Sequence, residues 1–222
     1  MVVSAFDYRF SRDLEMPSKE FAHGVRDICN ETGALLILDD VRAGFRLSLH
    51  GSWQGLHGIN PDLLCYSKAI ANGYALSALL GSESCRPGAE KVFATGSFWF
   101  SAGAQAAALA TLDILKEENV IAKIDSVGKL FRSGLLEQAE ELGLTIQVSG
   151  PSSMPYLTFK GDKPFERPRG MTFSSECCRL GVLIHPHHNW FLSLAHSEEV
   201  INDTLQVTRQ AMIAVRDKFG IE

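Results

Sequence analysis

The sequence predicts an α/β protein with a largely parallel sheet, followed by a small α+β domain. In the first part of the chain, short apolar runs of strand length alternate with an amphipathic helical stretch, the order typical of strand–helix–strand units. From residue 103 the composition becomes helical, and short strand candidates then precede a last amphipathic helix. We expect a domain change near residue 130, which gives domains of residues 1–130 and 131–222.

Apolar runs and turn residues define the elements of the first domain. Strands are predicted at residues 1–6, 34–38, 62–65 and 75–80. A helix lies between the first two, with Ser18 as its N-cap, Gly33 after its last residue, and Phe21, Val25 and Ile28 on one face. The run at 34–38 is continuously apolar, which is typical of a strand that is covered on both faces.

The second part of the chain is predicted from helical periodicity and shorter runs. A long helix is expected over residues 120–142, with Ile124, Val127, Phe131 and Leu135 on its buried face and Gly143 at its end. Strands are expected at residues 145–148, 156–159, 182–184 and 191–194. The last helix carries an apolar stripe made by Ile201, Leu205, Thr208, Met212, Val215 and Phe219.

Composition narrows the classes of function. The 222 residues are 45% hydrophobic and 21% charged, with a net charge of −5, which argues against nucleic acid as the main partner. There is no run of 18 apolar residues and no basic region followed by an apolar core, so we expect neither a membrane span nor a signal peptide. Five cysteines without C-x-x-C spacing favour a reducing, cytoplasmic setting.

Three features cluster at the predicted carboxyl edge of the sheet, where ligands bind in open parallel sheets. Asp39 and Asp40 directly follow one strand, Lys68 lies shortly past the end of the next, and a glycine-containing loop, ANGYALSALLG, comes after it. Taken alone, the aspartates could be turn or cap residues and the lysine a surface residue. Their combination in this order is what indicates a site.

The segments LILDDVRAGFR and PDLLCYSKAIANGYALSALLG together resemble the LIFDEVxTGFR … PDL…xKxxxxG core of class III aminotransferases, of fold type I. The C-terminal phrase FLSLAHSEE is similar to the glutamate semialdehyde aminomutase branch. The resemblance implies the C-terminal part of the large domain plus the small domain, with pyridoxal 5′-phosphate (PLP) as cofactor. By this resemblance, Asp39 would bind the pyridine nitrogen of PLP, and Lys68 would form the Schiff base with the cofactor.

The chemistry explains why these two residue types are needed. A free lysine has a pKa of about 10.4 and must be desolvated or placed near positive charge to act as a neutral nucleophile. An aspartate paired with the ring nitrogen keeps that nitrogen protonated, so the ring can act as an electron sink. The amine of Lys68, once freed, can move a proton between substrate and cofactor carbons.

Other positions carry over by resemblance with less force. Val41 corresponds to the family residue packed against the cofactor ring, and Asp40 stands where the family usually has Glu. Ser97, in TGSFWF, takes the place of a residue that reaches the phosphate of the neighbouring subunit's cofactor, which implies a homodimer. A plain loop serine is the alternative for Ser97.

The sequence also departs from the family pattern. The N-terminal part of the family's chain is absent, with its phosphate-cradling turn and ring-stacking aromatic residue; the family's Glu-Pro has no clear equivalent in VVSAFDYRF; and IHPHHNWFLSLAHSEE lacks the C-terminal arginine. His185, His187 and His188 cannot all face one ion from a regular strand, so we expect a surface turn and no metal.

Two functions remain open. The first is a PLP-dependent aminotransferase or aminomutase that acts on a small amino or oxo compound through Lys68. The alternative is a truncated, non-catalytic paralogue that retains the fold and the dimer surface. A nucleotide-binding protein is excluded by the lack of a G-x-G-x-x-G or Walker loop.

Overall fold

A computed structural model describes residues 1–8 and 13–220 of the chain. The chain divides into two compact units, one made of residues 1–6 and 17–121 and the other of residues 7–16 and 122–222. The units divide between residues 121 and 122, within the long helix predicted over residues 120–142. The sequence places the domain change later in that helix, near residue 130. The early segment joins the second unit because Leu14 N–H donates to Ser149 Oγ at 2.9 Å.

The first unit contains a four-stranded, largely parallel sheet, as predicted. Its order is β1 (Val2–Ser4), β2 (Ile37–Asp39), β3 (Leu63–Tyr66) and β4 (Ala78–Gly81), of which only β4 runs antiparallel to its neighbour. The predicted strand at 34–38 is wrong in its bounds, since β2 begins at Ile37. The reason is that Leu36 N–H donates to the Asp62 carboxylate at 2.7 Å instead of joining the strand ladder.

Helices of the first unit are α1 (Lys19–Thr32), α2 (Ser52–His57), α3 (Arg86–Ala89) and α4 (Ala102–Glu117). Ser18 caps α1 as predicted, because its Oγ accepts from Phe21 N–H at 3.1 Å, and Gly33 ends the helix with a φ of 70°. Of the expected apolar face only Val25 is buried. Phe21 and Ile28 are 57% and 51% exposed, while the core receives Ala22, Val25, Cys29, Leu36, Leu38, Trp53 and Ile59.

The second unit combines two long helices with a small sheet. Its elements are α5 (Val120–Glu141), which begins at the end of the first unit, β5 (Ile146–Ser149), β6 (Tyr156–Phe159), α6 (Pro168–Arg179) and α7 (Glu198–Phe219). Strands β5 and β6 pair antiparallel, and α6 packs against α7. The sequence does not predict α6. None of the helices in the described part of the chain is long and apolar enough to cross a bilayer.

The stripes predicted on α5 and α7 are buried, with Val127 and Phe219 only partly so. By contrast, the predicted strands at 182–184 and 191–194 are wrong. Both segments are irregular. They are held by isolated backbone hydrogen bonds, such as that from Leu192 N–H to Ser153 O at 3.0 Å, and not by a strand ladder. Leu183 is 89% exposed, so the first segment does not bury the face of a core strand.

Two helical glycines give opposite predictions for replacement by alanine. A Cβ at Gly24 of α1 would meet no atom within 4 Å, so Gly24→Ala should raise the free energy of unfolding by about 0.5–1 kcal/mol. A Cβ at Gly128 of α5 would lie 2.2 Å from the backbone oxygen of Ser152, so Gly128→Ala should lower it by about 1–3 kcal/mol. Urea unfolding of both variants measures the change in the free energy of unfolding. Changes of the same sign in the two variants would contradict this account.

Candidate functional site

Parallel pairing brings the predicted aspartate and lysine to one edge of the sheet. Asp39, the last residue of β2, pairs with Cys65 of β3, and Asp40 N–H continues the pairing by donating to Cys65 O at 3.1 Å. Lys68 follows Cys65 by three residues. Asp39 and Lys68 therefore lie at the carboxyl ends of neighbouring parallel strands, where open sheets bind ligands.

Asp39 is half-buried and its carboxylate is partly engaged by its own turn. Oδ1 accepts from Val41 N–H at 3.1 Å, an Asx-type bond that holds the side chain along the chain direction. Within the described ranges, no donor reaches the second oxygen. The carboxylate is thus oriented by the backbone and keeps one oxygen for an external donor, while Val41 is itself half-buried beside it.

Lys68 begins a short 3₁₀ turn, Lys68–Ile70, in an uncommon backbone conformation. Its φ is 50°, a value few non-glycine residues adopt. The preceding Ser67 hydroxyl donates to Leu76 O at 2.9 Å, which closes the glycine-containing loop behind the lysine. The neighbouring Ile70 is buried, but Lys68 itself is exposed in this chain.

Asp40 is fully buried, a placement that sequence reasoning missed. Its Oδ1 accepts from Ser52 Oγ–H at 2.5 Å and its Oδ2 from Ser52 N–H at 2.9 Å. Burial raises the pKa of the Asp40 carboxyl, and the two bonds from Ser52 oppose that rise. No local signal identifies the pair, because its two residues lie 12 positions apart.

Ser97 is exposed, in a turn with Phe98 and Phe100, which are 88% and 83% exposed. In the described chain no hydrogen bond joins Ser97 to Asp39 or Lys68. Its assignment to a cofactor phosphate therefore stays a prediction that depends on a second subunit.

The histidine run lies in the second unit and forms a turn. His187 N–H donates to His185 Nδ1 at 3.1 Å, and the His185 and His188 ring centroids are 6.2 Å apart. Burial lowers the pKa of His187, and the positive charge of Arg167 lowers it further. Among the residues that the structure describes, no group of three or more His, Cys, Asp and Glu side chains is arranged to hold a metal.

Known proteins resemble both the sequence and the fold. The aminopentol aminotransferase of Sphingopyxis macrogoltabida is 44% identical over 215 residues, and the glutamate-1-semialdehyde 2,1-aminomutase of Thermomicrobium roseum is 32% identical over 213. These matches cover 97% and 90% of this chain but 50% and 49% of the relatives. The chain therefore spans about half the length of the curated relatives it matches.

A solved structure agrees closely with the described fold. The FumI protein of Sphingopyxis sp. MTA144, in its PLP internal aldimine form, superposes with a TM-score of 0.94 at 42% identity. The match covers all of this chain and 53% of that one. The family model for aminotransferase class-III matches residues 14–213. Because that match spans most of the sequence, the chain belongs to the class-III aminotransferase family.

Proposed function

We propose that this chain carries the lysine- and aspartate-bearing half of a PLP-dependent aminotransferase or aminomutase that acts on a small amino or oxo compound. The observation that carries the proposal is the placement of Asp39 and Lys68 at the ends of neighbouring parallel strands. A half-buried carboxylate with one free oxygen fits a protonated ring nitrogen, and an exposed primary amine fits an aldehyde. These two side chains therefore fit PLP.

Each residue of the chain has a distinct task in this proposal. Bound PLP would supply a protonated ring that withdraws electrons from the reacting carbon. Asp39 would hold the proton on the ring nitrogen with the oxygen that Val41 N–H leaves free. Lys68 would hold the cofactor covalently and, when released, move a proton at the reacting carbon. Val41 would cover one face of the ring.

The substrate is proposed only as a class. The matched relatives are named for aminopentol, 3-aminobutyryl-CoA and glutamate-1-semialdehyde, three chemically different compounds. The two aminotransferases are 44% and 30% identical and the aminomutase is 32% identical, so the proposal covers both reactions.

Lys68 should be the lysine that captures the cofactor. Incubation with PLP followed by borohydride reduction should fix the cofactor's mass on the peptide that contains Lys68, and Lys68→Ala should abolish this labelling. Replacement of the exposed Lys91 by Ala is the matched control and should leave it unchanged. Peptide mass spectrometry makes the measurement, and labelling spread over surface lysines would contradict the assignment.

Asp39 should set cofactor affinity. Asp39→Asn removes the charge that would face the ring nitrogen, so PLP binding should weaken by about 1.5–3 kcal/mol, the range for a hydrogen bond to a charged group. Equilibrium dialysis against PLP measures the loss, and circular dichroism checks that the fold persists. A variant with unchanged PLP affinity and turnover would show that Asp39 is only a turn residue.

The 222-residue chain should self-associate, bind PLP weakly and show little transamination by itself. The exposed turn at Ser97 would find its cofactor phosphate in a second subunit, and the family's same-subunit phosphate cradle is not among these residues. Sedimentation velocity with a PLP titration, together with an amino-donor half-reaction, tests the prediction. A stable monomer would contradict it, and so would tight PLP binding with brisk turnover.

A further inference from the structure

We propose that Asp40 is a positioning residue for the candidate site: its buried carboxylate, held by Ser52, fixes the 39–41 turn and so directs Asp39 toward the cofactor. The part that concerns the cofactor rests on the proposed function. The part that concerns the turn rests on the contacts of Asp40 alone.

Both oxygens of Asp40 are satisfied by one residue. Ser52 donates its hydroxyl to Oδ1 at 2.5 Å and its backbone N–H to Oδ2 at 2.9 Å. Since Asp40 has no exposed surface, loss of either donor would leave a buried carboxylate oxygen without a partner. The pair therefore joins the end of β2 firmly to the first turn of α2.

The first turn of α2 is itself anchored to the sheet. Trp53, next to Ser52, is fully buried, and its Nε1–H donates to Ala5 O at 3.0 Å, just past the end of β1. Ala5 N–H in turn donates to Asp39 O at 3.3 Å. The turn that begins at Asp39 is thereby held from β1 on one side and, through the Asp40–Ser52 pair, from α2 on the other.

This anchoring determines where Asp39 points. Consecutive side chains in an extended strand project to opposite sides. With the Asp40 side chain fixed in the interior and its N–H bonded to Cys65 O, Asp39 has to project away from Ser52. That orientation lets Val41 N–H reach Asp39 Oδ1 and leaves the other oxygen available.

Gly51 and Tyr66 lie beside the Asp40–Ser52 pair. A Cβ at Gly51 would lie 3.2 Å from Tyr66 Oη and 3.7 Å from Asp40 Oδ2, so a side chain at position 51 would crowd the Tyr66 hydroxyl beside the pair. Burial raises the pKa of Tyr66 to about 12, and the nearby charge of Asp40 adds to this rise.

The test compares Asp40→Asn and Ser52→Ala with a control that weakens the fold elsewhere in the first unit. Ser18→Ala removes the N-cap of α1, where Ser18 Oγ accepts from Phe21 N–H at 3.1 Å, and leaves the Asp40–Ser52 pair intact. Three quantities are measured in the full 222-residue chain: the PLP dissociation constant, the amide-exchange protection of Val41 and Ser52, and the unfolding midpoint.

We expect Asp40→Asn to weaken PLP binding roughly tenfold or more, as loss of a charged hydrogen bond implies, and to abolish Val41 protection. Ser18→Ala should lower the unfolding midpoint without either effect. Unchanged Val41 protection in Asp40→Asn overturns the proposal, and so does equal PLP weakening in Ser18→Ala at an equal midpoint loss. If the unmodified chain takes up no PLP, cofactor binding under the proposed function fails, and Val41 protection alone decides the role of Asp40.

Discussion

The carboxylate of Asp62 holds the starts of two neighbouring strands, accepting from Leu36 N–H at 2.7 Å and from Arg26 Nη1–H at 2.9 Å. Burial pushes its pKa upward, but these bonds outweigh burial and leave the pKa lowered. Strand β3 begins at the next residue and β2 directly after Leu36, so one side chain fixes where both strands start. The register that follows places Asp39 opposite Cys65, and the candidate site depends on it.

Local signals were sufficient for much of this arrangement. An apolar run followed by acidic residues, and a second run followed by Lys68, are enough to predict two parallel strands with both groups at the carboxyl edge, because that edge is common to parallel strands. Ser18 and Gly33 likewise bound α1 through bonds within one helical turn. These predictions hold because the interactions that create the features lie close together in the sequence.

Features that depend on distant partners could not be predicted. The start of β2 is set by Asp62, and the burial of Asp40 by Ser52; neither partner is distinguishable from an ordinary polar residue. Helix α6 was missed because PRGMTFSSECCR lacks a clear apolar stripe, although Pro168 suits a first helical turn. The segment at 182–184 has strand composition but finds no strand to pair with, so composition alone misleads.

Under the proposed assignment, the exposed turn at Ser97 would link cofactor affinity to self-association. If Ser97 donates to a phosphate held by a second copy, PLP binds the dimer more tightly than the monomer, and linkage then requires PLP to strengthen the dimer by the same factor. Phe93, Phe98 and Phe100 are 91%, 88% and 83% exposed in the same segment. Burying these rings in a subunit interface would be favourable without cofactor. The exposed phenylalanine rings would therefore supply most of the dimer's stability. The Ser97 hydroxyl would link PLP binding to dimerisation.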